Sequence, residues 1–125
     1  MPGEPLLVVD DNPANLKLLR LTLQLEGFEV RTAEDAEEAL RVLASFRPRL
    51  ILMDLQLPGM DGLDLTRRLK ADPATRDVII LAVTAYAMKG DDEKARAAGC
   101  DGYVTKPIDT QTLTALVAAY LLAQR

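Results

Sequence analysis

Three short, uninterrupted apolar runs constrain the fold of this chain more than any other feature. They cover residues 6–9, 50–53 and 78–83, and they read LLVV, LILM and VIILAV. Each run has the length of a strand rather than of a helix, and a continuous apolar strand is typical of burial on both faces. The runs therefore predict a parallel sheet that is covered by helices on both sides.

Helical patterns separate these runs and complete a regular alternation. Pro13 fits a first helical turn and Gly27 fits a stop, which predicts a helix over 13–26. Similar patterns predict helices over 34–46, 62–71, 86–98 and 109–122, and shorter strands over 28–32 and 102–104. The prediction is one α/β domain over residues 1–125, with five βα units and a doubly wound, five-stranded parallel sheet.

Composition excludes several classes of function. The net charge is −4 and no run of Lys or Arg is present, so we expect no direct binding to nucleic acid. The chain has no His and one cysteine, Cys100, which excludes Cys/His zinc sites and an internal disulfide. No signal peptide or membrane-spanning run is evident, and a reducing cytoplasm is the expected location.

Acidic residues follow two of the buried runs directly. Asp10 and Asp11 follow the first run, and Asp54 follows the second. In the flavodoxin-like strand order 2-1-3-4-5, strands one and three flank the switch point where ligands bind. Converging carboxylates repel one another unless a cation neutralises them, and oxygen ligands suit Mg²⁺ or Mn²⁺. The backbone carbonyl of Gln56 is a candidate for a further ligand.

Two more polar side chains are expected at the same edge of the sheet. Thr84 follows the fourth strand, and Lys106 follows the fifth. A carboxylate nucleophile, a metal, a hydroxyl and a cation are what phosphoryl transfer to an aspartate requires. Asp54 is the best candidate for that nucleophile.

These residues carry a resemblance to a known family. The segments VVDDN (8–12), MDLQLPGMDG (53–62), VTA (83–85) and YVTKP (103–107) resemble those of bacterial response-regulator receiver domains over essentially the whole chain. The resemblance implies a flavodoxin-like fold and a cis bond between Lys106 and Pro107. It also implies roles for single residues: Asp10 and Asp11 as metal ligands, Asp54 as phosphoacceptor, Thr84 as switch hydroxyl, Lys106 as phosphoryl-pairing cation and Tyr103 as switch aromatic.

The function that follows is signalling rather than turnover of an external substrate. Asp54 is expected to take a phosphoryl group from the phosphohistidine of a histidine kinase or phosphotransfer protein, with the domain catalysing its own phosphorylation and dephosphorylation. The resemblance implies that helix four, strand five and helix five then form a switched surface for a downstream protein. A bulky Tyr86 suggests slow loss of the phosphoryl group. The alternative is a degenerate receiver that serves as a phosphorylation-independent scaffold.

The first helix carries more leucine than one core-facing stripe needs. If Asn15, Leu19 and Thr22 point inward, Leu16 and Leu21 lie at opposite flanks. Both would then be exposed and would form a candidate docking surface for the kinase or phosphotransfer helix. The alternative is burial of both flanks by neighbouring helices.

Overall fold

One parallel sheet of five strands organises the molecule. The computed structural model describes residues 3–55, 62–84, 91–105 and 109–123. The strands lie in the order β2-β1-β3-β4-β5, which confirms the predicted doubly wound arrangement. Along the chain the elements are β1 (Pro5–Val9), α1 (Pro13–Leu25), β2 (Glu29–Ala33), α2 (Ala36–Leu43), β3 (Leu50–Asp54), α3 (Gly62–Ala71), β4 (Ile79–Thr84), α4 (Asp91–Ala98), β5 (Gly102–Thr105) and α5 (Thr110–Ala123).

The core consists of two apolar layers, one on each face of the sheet. Buried side chains of α1 and α5 cover one face, where they pack against alternate residues of β1, β3 and β4. Buried side chains of α2, α3 and α4 cover the other face and pack against the remaining residues of those strands. Every residue of β3 and β4 is buried, as the continuous apolar runs predicted.

Several helix and strand boundaries differ from the predicted ones by one to three residues within the described part of the chain. The second helix begins at Ala36 rather than at residue 34, because Oδ1 of Asp35 accepts a hydrogen bond from the N–H of Glu38 at 2.7 Å. The second strand is shifted by one residue, to Glu29–Ala33. The part of the fourth predicted helix before Asp91 lies outside the described residues.

The packing of α1 corrects one prediction about its leucines. Leu16 is 6% exposed and belongs to the core with Leu19 and Leu23, so its predicted exposure was wrong. The helix is rotated so that this i, i+3, i+7 row faces the sheet and α5. Leu21 is 45% exposed, as predicted.

Exposed leucines of α1 form a second row on the opposite side of the helix. Leu18, Leu21 and Leu25 have the same i, i+3, i+7 spacing, and all three are exposed. The helix carries two basic residues, Lys17 and Arg20, and no acidic residue. Lys17 lies one turn before Leu21 on the same side of the helix, and we call the three leucines together with Lys17 the α1 leucine row.

The last helix differs from α1 in charge. Residues 110–123 contain no charged side chain, and Leu122 near the end is exposed. None of the described helices combines the length and the apolarity that a membrane span requires.

Candidate functional site

Polar residues end three neighbouring strands at the same edge of the sheet. Asp10 directly follows β1, Asp54 is the last residue of β3, and Thr84 is the last residue of β4. All three polar residues are buried, as are the apolar strand residues that precede them. Since the strands are parallel, their carboxyl ends meet at one edge, which brings these side chains to the switch point between β1 and β3.

Three carboxylates meet at this edge. Oxygen atoms of Asp10, Asp11 and Asp54 all lie within 4.8 Å of one another. Asp10 and Asp54 are buried while Asp11 is exposed. Carboxylates so close together repel one another, and binding of a hard divalent cation usually offsets this repulsion. This donor set fits Mg²⁺, which takes one or two protein carboxylates and completes its shell with water or phosphate oxygens.

Asn12 fixes the geometry at the end of β1. Its N–H donates to Oδ1 of Asp10 at 2.9 Å, which orients that carboxylate. Its own Oδ1 accepts from the N–H of Ala14 at 2.9 Å and from that of Asn15 at 3.3 Å, so Asn12 caps α1. The chain thus passes from β1 into α1 within a few residues. This role was not predicted, although an Asn directly before a proline at the first helical position is a capping signal.

Gly62 holds the start of α3 against the end of β3. A Cβ atom built at Gly62 would overlap the backbone carbonyl oxygen of Asp54 and would lie 2.9 Å from the Cα of Leu55. The N–H of Gly62 also donates to the carbonyl of Leu55 at 3.4 Å. The backbone next to Asp54 is therefore fixed from the side of α3. The sequence predicted a helix that begins at this glycine, but not its contact with Asp54.

Thr84 and Tyr103 lie on the β4–β5 side of the site. Thr84 pairs with Thr105. Two residues earlier on each strand, and therefore on the same face of the sheet, Ala82 pairs with Tyr103. Tyr103 is half-buried and packs against the core layer of α2, α3 and α4. It also borders a cavity of about 360 Å³, whose lining includes Ala95, Arg96, Gly102 and Tyr120.

Several predicted features lie outside the described residues. They are the backbone carbonyl of Gln56, the Lys106 side chain, the Lys106–Pro107 bond and Tyr86. Lys106 directly follows Thr105, the last residue of β5. The structure thus brings together Asp10, Asp11 and Asp54 and places Thr84 at the same edge of the sheet.

A buried polar chain leads from the core to Gly62. Sγ of Cys100 lies 3.8 Å from Oγ1 of Thr66, and that hydroxyl donates to the carbonyl of Gly62 at 2.8 Å. Burial raises the pKa of the Cys100 thiol above its ordinary value of 9.0, against the smaller lowering effect of the Thr66 hydrogen bond. Cys100 is buried within the apolar core.

Comparison with known proteins gives a consistent result. A family model of the response regulator receiver domain matches residues 6–118. The polar-differentiation response regulator DivK of Brucella anthropi is 42% identical over 115 residues, which cover 92% of this chain and 94% of that protein.

Solved structures agree in fold. A putative response regulator from Chloroflexus aurantiacus is 34% identical with a TM-score of 0.90, covering 96% of this chain and 98% of that one. A CheY-like receiver domain protein from Methanospirillum hungatei is 30% identical with a TM-score of 0.91, covering 98% of this chain and 96% of that one.

Proposed function

This chain belongs to the family of response regulator receiver domains of two-component signalling, and from that premise we propose that Asp54 is its phosphoacceptor. The observation that carries the proposal is the position of Asp54, buried at the end of β3 within 4.8 Å of the Asp10 and Asp11 carboxylates. We further propose that residues 1–125 form one receiver domain.

The reaction is an in-line transfer between a partner and this chain. A carboxylate oxygen of Asp54 attacks the phosphorus of a phosphohistidine, a P–O bond forms, and the P–N bond breaks with its electron pair going to the imidazole. Because this chain has no His, the donor imidazole belongs to a histidine kinase or phosphotransfer protein. The products are an aspartyl phosphate and a histidine that takes up a proton.

Asp10 and Asp11 would hold Mg²⁺ beside the nucleophile, with the Asp54 carboxylate and the backbone carbonyl of Gln56 as further ligands. The bound metal would supply positive charge that offsets charge on the transferred phosphoryl group. The hydrogen bond from the N–H of Asn12 keeps the Asp10 carboxylate aimed at this point. Lys106, next after β5 in the sequence, would pair with a phosphoryl oxygen. With these groups, the domain would promote its own phosphorylation and dephosphorylation.

Thr84 and Tyr103 would transmit the reaction to the surface. A phosphoryl group on Asp54 adds oxygens that the Thr84 hydroxyl can donate to from the neighbouring strand end. Tyr103 is half-buried beside a cavity of about 360 Å³, so its ring has space to change position. A shift between two positions of this ring would alter the surface of α4, β5 and α5, where a downstream protein would bind.

The α1 leucine row is the surface that we propose for the phosphoryl donor. Leu21 belongs to it, whereas the buried Leu16 does not. Three exposed leucines with Lys17 beside them fit an amphipathic partner helix with an acidic flank. Such a partner would bring its phosphohistidine to the end of the sheet where α1 begins. We propose a cytoplasmic location and no direct contact with nucleic acid.

A degenerate receiver used as a scaffold is not favoured. Scaffold function needs neither a buried aspartate at a strand end nor two further carboxylates near it, and this chain retains all three acids.

Intact mass spectrometry after incubation with Mg²⁺ and phosphoramidate tests the proposal. The wild type should gain one phosphoryl group, and Asp54→Ala or a chelator should abolish the gain. Asp64→Ala is the matched control, because Asp64 is an exposed aspartate of α3. Retained labelling in Asp54→Ala, or no labelling of the folded wild type, would overturn the assignment.

A further inference from the structure

The strand that leads to Lys106 has little burial of its own to hold it. β5 has four residues, lies at the edge of the sheet, and has no fully buried residue. The neighbouring β4 has six residues, and all of them are buried. Register is strongly specified where one face of a strand is buried, and only weakly otherwise. Val104 and Tyr103 are only partly buried against the core, so contacts outside the strand are expected to help fix where β5 sits along β4.

The Asp101 side chain extends the β4–β5 ladder beyond its first pair. The first pair is Leu81 with Gly102. One residue earlier, the N–H of Asp101 donates to the carbonyl of Ile80 at 2.7 Å, and Oδ2 of Asp101 accepts from the N–H of Ile80 at 2.9 Å. The carboxylate thus takes the place of a backbone acceptor and ties β5 to one position on β4.

Lys70 fixes that carboxylate from α3. Its Nζ lies 3.0 Å from the same Oδ2 of Asp101, and it also donates to the carbonyls of Val78 at 2.7 Å and Arg76 at 3.2 Å. All three donors of the ammonium group are therefore used. The Lys70 and Asp101 side chains are 21% and 32% exposed, so the pair is partly shielded from water.

Close packing around Gly102 disfavours other registers of β5 on β4. A Cβ atom on Gly102 would lie 2.7 Å from Cδ2 of Leu81 and would overlap the hydroxyl of Tyr120. That hydroxyl donates to the carbonyl of Asp101 at 3.2 Å, which adds a contact from α5. A slip by one residue would place a side chain at this point, and Leu81 or Tyr120 would have to move to make room for it.

We propose that Lys70 and Asp101 are positioning residues for phosphotransfer, because they set the register of β5 on β4. This inference rests on the proposed function of Lys106. A slip of one residue would move Lys106 along the strand by about 3.3 Å and turn Tyr103 to the other face. Neither Lys70 nor Asp101 touches the phosphoryl group; they act through the strand, from the end opposite to the phosphoacceptor.

Four variants separate positioning from simple stabilisation. Asp101→Ala removes the side-chain contacts with the N–H of Ile80 and with Lys70. Asp101→Asn keeps an acceptor for the N–H of Ile80. Lys70→Met keeps the aliphatic stem without the charge. Arg67→Met is the matched control, since it breaks an exposed Arg67–Asp64 pair on the same helix. The readouts are the rate of labelling by phosphoramidate at saturating Mg²⁺, corrected for the folded fraction, and nuclear Overhauser contacts between Leu81 and Gly102.

The expected result is a fall in labelling rate of about 10- to 100-fold or more in Asp101→Ala and Lys70→Met, because misplacement of a reacting group by only about 1 Å can already cost about 100-fold. Asp101→Asn should be partly rescued, and Arg67→Met should match the wild type. The Leu81–Gly102 contacts should be lost in the two slow variants. Unchanged rates per folded molecule, or unchanged contacts, would overturn the inference. Failure of the wild type to label would overturn the proposed function instead, while the contacts would still show whether the pair sets the register.

Discussion

Gly62 lies so close to the backbone carbonyl of Asp54 that no side chain fits between them. We expect Gly62→Ala to lower the free energy of unfolding by about 1–3 kcal/mol, the usual effect of overpacking. It should also slow phosphorylation, because relief of the overlap shifts the end of β3. Urea denaturation and labelling by phosphoramidate measure the two effects.

The control for this substitution is Gly3→Ala. A Cβ atom at Gly3 meets nothing within 4 Å, although the positive φ of 87° makes alanine unfavourable there. This variant should lose at most about 1–2 kcal/mol and should label at the wild-type rate. Equal labelling by Gly62→Ala and the wild type would show that the contact with Asp54 does not position the nucleophile.

Mg²⁺ should stabilise the folded chain by binding the carboxylate cluster. At a concentration one hundred times its Kd, the metal should raise the free energy of unfolding by about 2.7 kcal/mol. Without metal, Asp11→Asn should be more stable than the wild type, because the substitution removes repulsion from Asp10 and Asp54. The same variant should lose most of the response to Mg²⁺.

Thermal unfolding with and without Mg²⁺ measures these differences. Asp64→Asn serves as the control, because Asp64 is an exposed aspartate of α3 and should leave the response to the metal unchanged. An Asp11→Asn variant with the full response would place the metal elsewhere.

Leucines of α1 should divide into two classes. Leu16→Ala should cost about 2–5 kcal/mol, because Leu16 is packed in the core. Leu21→Ala should change stability by no more than about 0.5 kcal/mol, yet it should slow transfer from the phosphorylated kinase or phosphotransfer protein. Labelling by phosphoramidate should not change, since that donor needs no helix to dock.

An exposed leucine elsewhere provides the comparison. Leu122→Ala on α5 should leave transfer from the kinase at the wild-type rate. Equal transfer by Leu21→Ala and Leu122→Ala would remove the α1 leucine row from the proposed interface.

Alkaline pH should weaken the fold through Cys100. The pKa of this thiol is raised in the folded state, so the folded chain keeps the proton that the unfolded chain releases above its ordinary pKa of 9.0. Stability from this source is complete below that value and is lost as the pH rises through the folded-state pKa. Urea denaturation from neutral to alkaline pH should show the stability difference between the wild type and Cys100→Ala becoming smaller. A constant difference would contradict the raised pKa.

The fold could be predicted because the same local pattern, an apolar run of strand length followed by a helical pattern, recurs along the sequence. Continuous apolar runs of strand length allow only strands buried on both faces, and Asp10, Asp54 and Thr84 directly follow such runs or end them. Strand order then decides which ends meet. The acidic cluster follows from local pattern and topology together.

Other features depend on contacts that no local pattern contains. The rotation of α1 is set by α5 and the sheet, so the leucine spacing alone did not fix the inward direction, and the direction assumed from the sequence misplaced Leu16. The pair of Lys70 and Asp101 joins residues 31 positions apart, and neither residue belongs to a recognisable motif. The close approach of Gly62 to Asp54 likewise depends on how α3 packs.

The absence of charge along α5 has a consequence for experiments on complexes. Complexes formed through the α1 leucine row would include Lys17 and should weaken as ionic strength rises. A complex formed on α5, whose residues 110–123 carry no charge, should tolerate salt and instead show a negative heat-capacity change from apolar burial. Salt titration and calorimetry could therefore distinguish binding of the phosphoryl donor from binding of the downstream protein in a mixture that contains both partners.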